Sequence, residues 1–285
     1  MTGEISALAR TSASRFPLLP SLAAVVLDLD GVLYRGDTAV TGAAKTVAWL
    51  RRQGLQVFFL TNNSTQTRAD YVAVLGKMGI PCEKAEVFSS SYAAALHLSC
   101  KHGQTALVVG EGGLAKELRA AGLKVIRRLR DGEADFVVVG MDRRLTYNKI
   151  ADAQCAIMGG AKFIATNRDP VYPVEHGLIP GGGTIVAAIE TASLTEPLVI
   201  GKPSPFMLKL LLKRAGLKPN QALMVGDRMD TDIVSAKRAG VNTVLVLTGV
   251  TCREEAGRAK GRLRPHWVID SIADLPDFLS RGKKP

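Results

Sequence analysis

Long apolar runs are missing from this 285-residue chain. The longest, such as Ala23 to Leu27, are strand-sized and fall far short of the ~20 residues that cross a bilayer, so no membrane span is expected. Cysteine is scarce: Cys82, Cys100, Cys155 and Cys252 are scattered, with no C-x-x-C pair and no histidine at ligand spacing. That spacing argues against a disulfide framework or a zinc module, and free thiols in a cytoplasmic setting are the expectation. The first twenty residues lack the apolar segment of a secretory signal, and residues 1–19 are read as an N-terminal arm. Aromatics make up only 5%, and basic clusters such as Arg127-Arg128 and the Lys283-Lys284 tail have none interleaved to stack on bases, so no nucleic-acid partner is expected. Acid is in deficit: 37 Lys and Arg face 26 Asp and Glu, a net charge of +11 that favours anionic ligands.

What the chain does have is aliphatic content, 47% hydrophobic overall, arranged as short apolar runs that alternate with helical patterns. This is the signature of α/β units around a parallel sheet. Four runs each end abruptly in polar residues: Ala23 to Leu27 before Asp28-Leu29-Asp30-Gly31, Gln56 to Leu60 before Thr61-Asn62-Asn63, Leu198 to Ile200 before Gly201-Lys202-Pro203, and Ala222 to Val225 before Gly226-Asp227-Arg228. A fifth, Thr243 to Leu247, leads into Thr248-Gly249. In open α/β sheets ligands bind beyond the carboxyl ends of strands, so the four polar signatures are expected to converge on one edge. More than 130 residues separate the second run from the third, too many for a crossover, and a second unit is expected there. Its strands are read at Thr105 to Val109, Phe136 to Val139 and Lys162 to Ala165, with a helix over Leu114 to Ala121. The expected division is a core of residues 20–88 and 182–285 around an α/β cap of residues 89–181, with Gly181-Gly182-Gly183 as a flexible return. Helix ends are read at the Thr67/Asp70 capping box and Gly79, at Ser204-Pro205 and Gly216, and from Asp230 or Thr231 to Gly240.

Asp28-x-Asp30 places two carboxylates at alternate positions at a strand end, where one can attack and the other can donate a proton. Two carboxylates alone would repel a phosphate. Magnesium resolves this, being a hard cation that takes oxygen ligands and bridges carboxylate to phosphate, and Asp227 is the natural further ligand. Lys202 offers a point charge, Thr61 and the backbone around Asn62 and Asn63 offer hydrogen bonds, and Asp232 is placed to orient Lys202 or a metal-bound water. In the cap, Asn167 to His176 is the candidate specificity segment, with Asn167 and Asp169 as substrate contacts or turn-formers and Arg168, Tyr172 and Glu175 facing the leaving group.

Taken together, Asp28-Leu29-Asp30-Gly31-Val32-Leu33, Thr61-Asn62, Lys202-Pro203 and Gly226-Asp227-Arg228-Met229-Asp230-Thr231-Asp232 resemble the four motifs of the haloacid dehalogenase superfamily. The insertion, with Thr166-Asn167-Arg168-Asp169, is similar to its nitrophenyl phosphatase and sugar phosphatase branch, which includes phosphoglycolate phosphatases. The resemblance spans about residues 20 to 275. It implies a Rossmann-like core, a nucleophilic Asp28 that forms an aspartyl-phosphate, Asp30 as general acid and then base, and magnesium held by Asp28, the backbone carbonyl of Asp30, and Asp227. The implied partner is a small phosphate ester, and a homodimer is one open expectation.

Two rival readings exist. Gly110-Glu111-Gly112-Gly113-Leu114-Ala115 satisfies a dinucleotide fingerprint, which would suggest an oxidoreductase, but no convincing acidic ribose partner follows. A phospho-aspartate signalling module also groups acids, Thr and Lys at strand ends, but it has no use for a large cap.

Overall fold

The computed structural model of the chain describes residues 21–174 and 177–280. The expected N-terminal arm, Glu175, His176 and the Lys283-Lys284 tail lie outside the described residues.

Two parallel sheets organise the molecule. The first has six strands in the order Trp267–Ile269, Asn242–Val246, Ala222–Gly226, Ala24–Leu27, Gln56–Thr61, Val87–Ser89. Ala24–Leu27 lies near its middle, fully buried on both faces, which is why it reads as an unbroken apolar run rather than an alternating one. Its register pairs Leu27 with Val225 on one side and with Phe59 on the other. Asp28, Asp227 and Thr61 therefore emerge side by side at the carboxyl edge, and the Asp28 amide donates to the Val225 carbonyl at 2.9 Å.

The second sheet has five strands in the order Leu198–Val199, Lys162–Ala165, Phe136–Val139, Thr105–Val109, Lys124–Ile126. This corrects the reading of the third apolar run: Leu198–Val199 is the edge strand of the second sheet, paired with Ile164 and Ala165, and not a core strand. The second sheet consequently runs on to residue 199, past the expected boundary at 182. The triple glycine is corrected as well. It opens a helix, Gly182–Ser193, whose Ile185, Val186 and Ile189 pack under the second sheet. Glycine is needed there because the backbone of Arg168 and Asp169 lies against it: a Cβ at Gly183 would sit 2.3 Å from the Arg168 carbonyl oxygen.

Other ends fall close to expectation. Thr67 and Asp70 form the capping box of Arg68–Lys77, and Gly79 and Gly216 adopt positive φ after their helices. The helix expected from Ser204-Pro205 starts one residue later, at Phe206, with Pro205 as its cap. The one expected from Asp230 or Thr231 begins earlier, as a π-type turn over Met229–Ile233 that runs into Val234–Ala239. In that turn Asp232 accepts from the Arg228 amide at 3.1 Å, taking the place of a cap.

The two sheets share one apolar cluster. Val26, Leu60 and Met224 of the first and Ala106, Val108 and Val138 of the second belong to it, joined through the helices Ser90–Ser99 and Phe206–Ala215. The seam beneath the site is thus apolar. Glycines bring it close at its rim: Gly113 donates to the Thr65 carbonyl at 3.2 Å, and a Cβ there would overlap that same oxygen. The glycine-rich turn that imitates a dinucleotide fingerprint is therefore filled by residues 65 and 66 of the first sheet's following loop, and its helix N-terminus faces protein.

Candidate active site

A cavity of about 560 Å³ opens between the sheets, with Asp28, Asp30, Thr61, Lys202 and Asp227 among the residues lining it. Its floor is a buried ion cluster. Lys202 Nζ lies 2.6 Å from Asp28 Oδ1 and 2.6 Å from Asp232 Oδ1, so one ammonium bridges two carboxylates. Asp227 stands beside them, its Oδ2 accepting from the Val250 amide at 2.7 Å. Oxygens of Asp28, Asp227 and Asp232 lie within 4.8 Å of one another.

Two glycines make this convergence possible. Gly31 turns the chain after Asp30 with φ +79°, and a side chain there would overlap the Asp227 carboxylate. Gly249 packs still closer to Asp227, where a Cβ would lie 1.9 Å from Oδ2. Both positions therefore exclude any larger residue without displacement of Asp227.

Charge in the cluster is unbalanced. Burial, reinforced by Asp232, pushes Asp28 well above the usual carboxylate range even though Lys202 pulls it down. Burial and Asp232 raise Asp227 to about 7, against the Val250 amide and Lys202. Burial raises Asp30 to about 6, again opposed by Lys202. Burial would lower Lys202, but Asp232 and Asp28 outweigh it and hold the ammonium charged. Three buried carboxylates against one ammonium leave a deficit of positive charge, and an all-oxygen donor set without His or Cys suits a hard divalent cation.

The amide residues expected at the site are all present, but their polar atoms are spent on one another. Asn62 accepts from the Lys202 amide at 2.8 Å and donates to its carbonyl at 2.9 Å and to Asp169 Oδ2 at 2.9 Å. Asn167 donates to the Asn62 carbonyl at 2.8 Å and accepts from the Asp169 amide at 3.1 Å. Asn63 accepts from Thr65 and donates to the Tyr172 hydroxyl at 3.1 Å, and Thr61 accepts from the Asn63 amide at 3.1 Å. These groups fasten the loop after the second core strand to the second sheet. Arg168 corrects the expected specificity segment: it turns away and pairs with Glu190 on the cap helix at 2.8 Å. Tyr172 does line the cavity, on the hairpin Val171–Val174/Gly177–Pro180, together with Val171 and Leu178.

Sequence reasoning missed Arg35, Met141, Thr248 and Gly249. Arg35 and Met141 follow no polar signature at a strand end. Thr248-Gly249 follows the fifth run directly, and that position was the available signal.

Comparison with known proteins agrees with this geometry. A family model described as haloacid dehalogenase-like hydrolase matches residues 25–124, and a second, HAD-hydrolase-like, matches residues 199–275. The chain is 38% identical over 234 residues to an acid sugar phosphatase of Staphylococcus saprophyticus, covering 81% of this chain and 89% of that one. It is 35% identical over 285 residues to the chloroplastic phosphoglycolate phosphatase 1A of Arabidopsis thaliana, covering 92% and 78%. Among solved structures, a glycerol phosphate phosphatase from Mycobacterium tuberculosis in complex with magnesium superposes with a TM-score of 0.82 at 35% identity, covering 90% of this chain and 76% of that one. The chain belongs to the haloacid dehalogenase-like hydrolases. Within them it is a phosphatase, a phosphoric monoester hydrolase acting on small phosphate esters. The dinucleotide and signalling readings are thereby set aside. Among the described residues, no helix is long and apolar enough to cross a membrane.

Proposed function

We propose that this chain hydrolyses small phosphate monoesters through an aspartyl-phosphate on Asp28. The observation that carries the reading is the buried bridge of Lys202 between Asp28 and Asp232, beside Asp227, at the floor of the cavity. Lys202 holds Asp28 Oδ1 and leaves the second oxygen to attack phosphorus. As that bond forms, the bond from phosphorus to the ester oxygen breaks, and Asp30 gives its proton to the departing alkoxide. A pKa raised to about 6 suits Asp30 to this task. In the second half, Asp30 takes a proton from water as the water oxygen attacks the phosphorus of the aspartyl-phosphate. Inorganic phosphate leaves and Asp28 is restored.

Magnesium fits the donor set, with Asp28, Asp227 and the backbone carbonyl of Asp30 as the groups that would hold it. When bound it neutralises the carboxylates and the phosphate oxygens. Asp232 keeps Lys202 in place and charged, and Asn62 fixes the Lys202 backbone.

The relatives' names cover a sugar phosphatase, a phosphoglycolate phosphatase and a glycerol phosphate phosphatase, so the leaving group is the variable element. Here Tyr172, Val171 and Leu178 of the cap hairpin are proposed to contact it.

The test is hydrolysis of an ester panel with magnesium, alongside acid-quench trapping of phosphoenzyme. Asp28→Asn should keep the fold, lose the trapped phosphate and lose turnover by on the order of 10⁴-fold or more. Turnover within tenfold of the parent, with deamidation excluded, would contradict the nucleophile assignment.

A further inference from the structure

We infer that Arg35 binds a second anionic group, carried on the leaving group of the substrate; this rests on the phosphatase reading and narrows its substrate class. Tyr34 and Arg35 form one arm of a two-stranded ribbon with Thr38 and Ala39. Alternation along that arm buries Tyr34 in the core and turns Arg35 outward, where it lines the cavity. Its Nε donates to the Thr248 carbonyl, and Thr248 Oγ1 in turn donates to the Gly31 carbonyl at 2.6 Å. The guanidinium is thus tied to the loop that follows Asp28 and Asp30, while among the described residues its two terminal nitrogens meet no acceptor and can take a bidentate one.

Among the described residues, the other cations that line the cavity, Lys202 and Arg228, are already paired. Lys202 is shared by Asp28 and Asp232, and Arg228 pairs with Asp230 at 2.7 Å and faces Asp169 at 3.6 Å. Farther out, beyond the cavity lining, Arg143 pairs with Glu111 and Arg168 with Glu190. Among the described residues, no carboxylate forms an ion pair with Arg35. A cation held in place beside a phosphate site, with its fork unspent, matches a carboxylate or a second phosphate on the group that departs. A neutral alcohol would leave that fork to water.

The experiment compares substrates that differ only in that group. Phosphoglycolate is set against 2-hydroxyethyl phosphate, and 3-phosphoglycerate against glycerol 3-phosphate, for the carboxylate. Propane-1,3-diol bisphosphate is set against 3-hydroxypropyl phosphate for the second phosphate. In the parent enzyme at least one pair should favour the charged member in kcat/KM by about tenfold or more, as one charge-assisted contact supplies. Arg35→Gln should collapse that ratio towards one, and Arg35→Lys should keep part of it. Loss confined to the carboxylate pairs, or to the bisphosphate pair, identifies which anion is recognised. Ratios unchanged by Arg35→Gln, or one common fall for charged and neutral members alike, would overturn the inference while leaving the phosphatase reading intact. Failure of the parent to hydrolyse any of these esters with magnesium would instead count against the phosphatase reading itself.

Discussion

The first sheet supplies the site with carboxylates and with Asn62 and Asn63, whereas the second supplies the ammonium and Asn167. Asp28 and Asp227 follow central strands of the six-stranded sheet, and Asp232 sits in the turn after the second of these. Lys202 instead follows Leu198–Val199, the edge strand of the five-stranded sheet, and Asn167 follows Lys162–Ala165 of that same sheet. Neither layer alone has a balanced cluster. The insertion is therefore more than a lid over a finished site: its last strand aims Lys202, which bridges Asp28 to Asp232.

The sharpest way to break this division is at Asn62, which clamps both backbone polar groups of Lys202. Asn62→Ala should lower kcat by about 10²-fold, the scale of a misplacement near 1 Å, while Asp28, Asp30 and Lys202 all remain. Steady-state kinetics with thermal melting checks it: a fall in kcat with unchanged melting supports aiming, and unchanged kcat would show that Lys202 needs no clamp.

Gly249→Ala strikes the carboxylate layer alone. The added methyl must push Asp227 aside, and magnesium affinity should weaken by about 10- to 100-fold with a smaller change in kcat at saturating metal. Titration of activity against free magnesium reads it directly.

The charge deficit predicts an unusual pH response in metal-free protein. Asp30 and Asp227 are raised to about 6 and about 7 from an ordinary 3.8, so the folded chain binds more protons than the unfolded one between those limits. Their contribution to stability is complete below about pH 4 and is lost as pH rises through about 6 to 7. Between pH 5.5 and pH 8 the melting temperature should fall without metal, magnesium should restore it mainly at pH 8, and Asp227→Asn should flatten the difference. A rise in melting temperature over the same interval would contradict the charge assignment.

The smallest effect is expected on the hairpin. Tyr172→Phe removes a hydrogen bond to Asn63 and a polar tip in the cavity, worth about 0.5 to 1.5 kcal/mol. Relative kcat/KM values among natural esters should shift a few-fold, with nitrophenyl phosphate, whose leaving group needs little help, shifting less.

The carboxylate layer was largely legible in the sequence, because the two strands that carry it, Ala24–Leu27 and Ala222–Gly226, are buried runs followed directly by an acid. Its topology keeps that one-dimensional signal intact in space. The second layer was less legible for identifiable reasons. Leu198–Val199 is a two-residue strand, too short for its pattern to say which sheet it joins. Gly181 to Gly183 carry the composition of a linker, yet the backbone of residues 168 and 169 presses against Gly183 and that of Asp169 against Gly181, a contact invisible along the chain. Arg35 lies in a ribbon whose two strands are two residues each, so no periodicity marked its outward direction.

The way Asn62, Asn167 and Lys202 interlock bears on how such a chain could be rebuilt. Exchanging residues 100–199 for the corresponding module of a relative is a natural route to new selectivity, since the recipient would retain Asp28, Asp30, Asp227 and Asp232. Yet the donor must bring an amide equivalent to Asn167 and an edge strand equivalent to Leu198–Val199. A chimaera lacking either would keep Asp28, Asp30, Asp227 and Asp232 and still misdirect Lys202, so graft compatibility is decided by these framework contacts before any pocket contact is tuned.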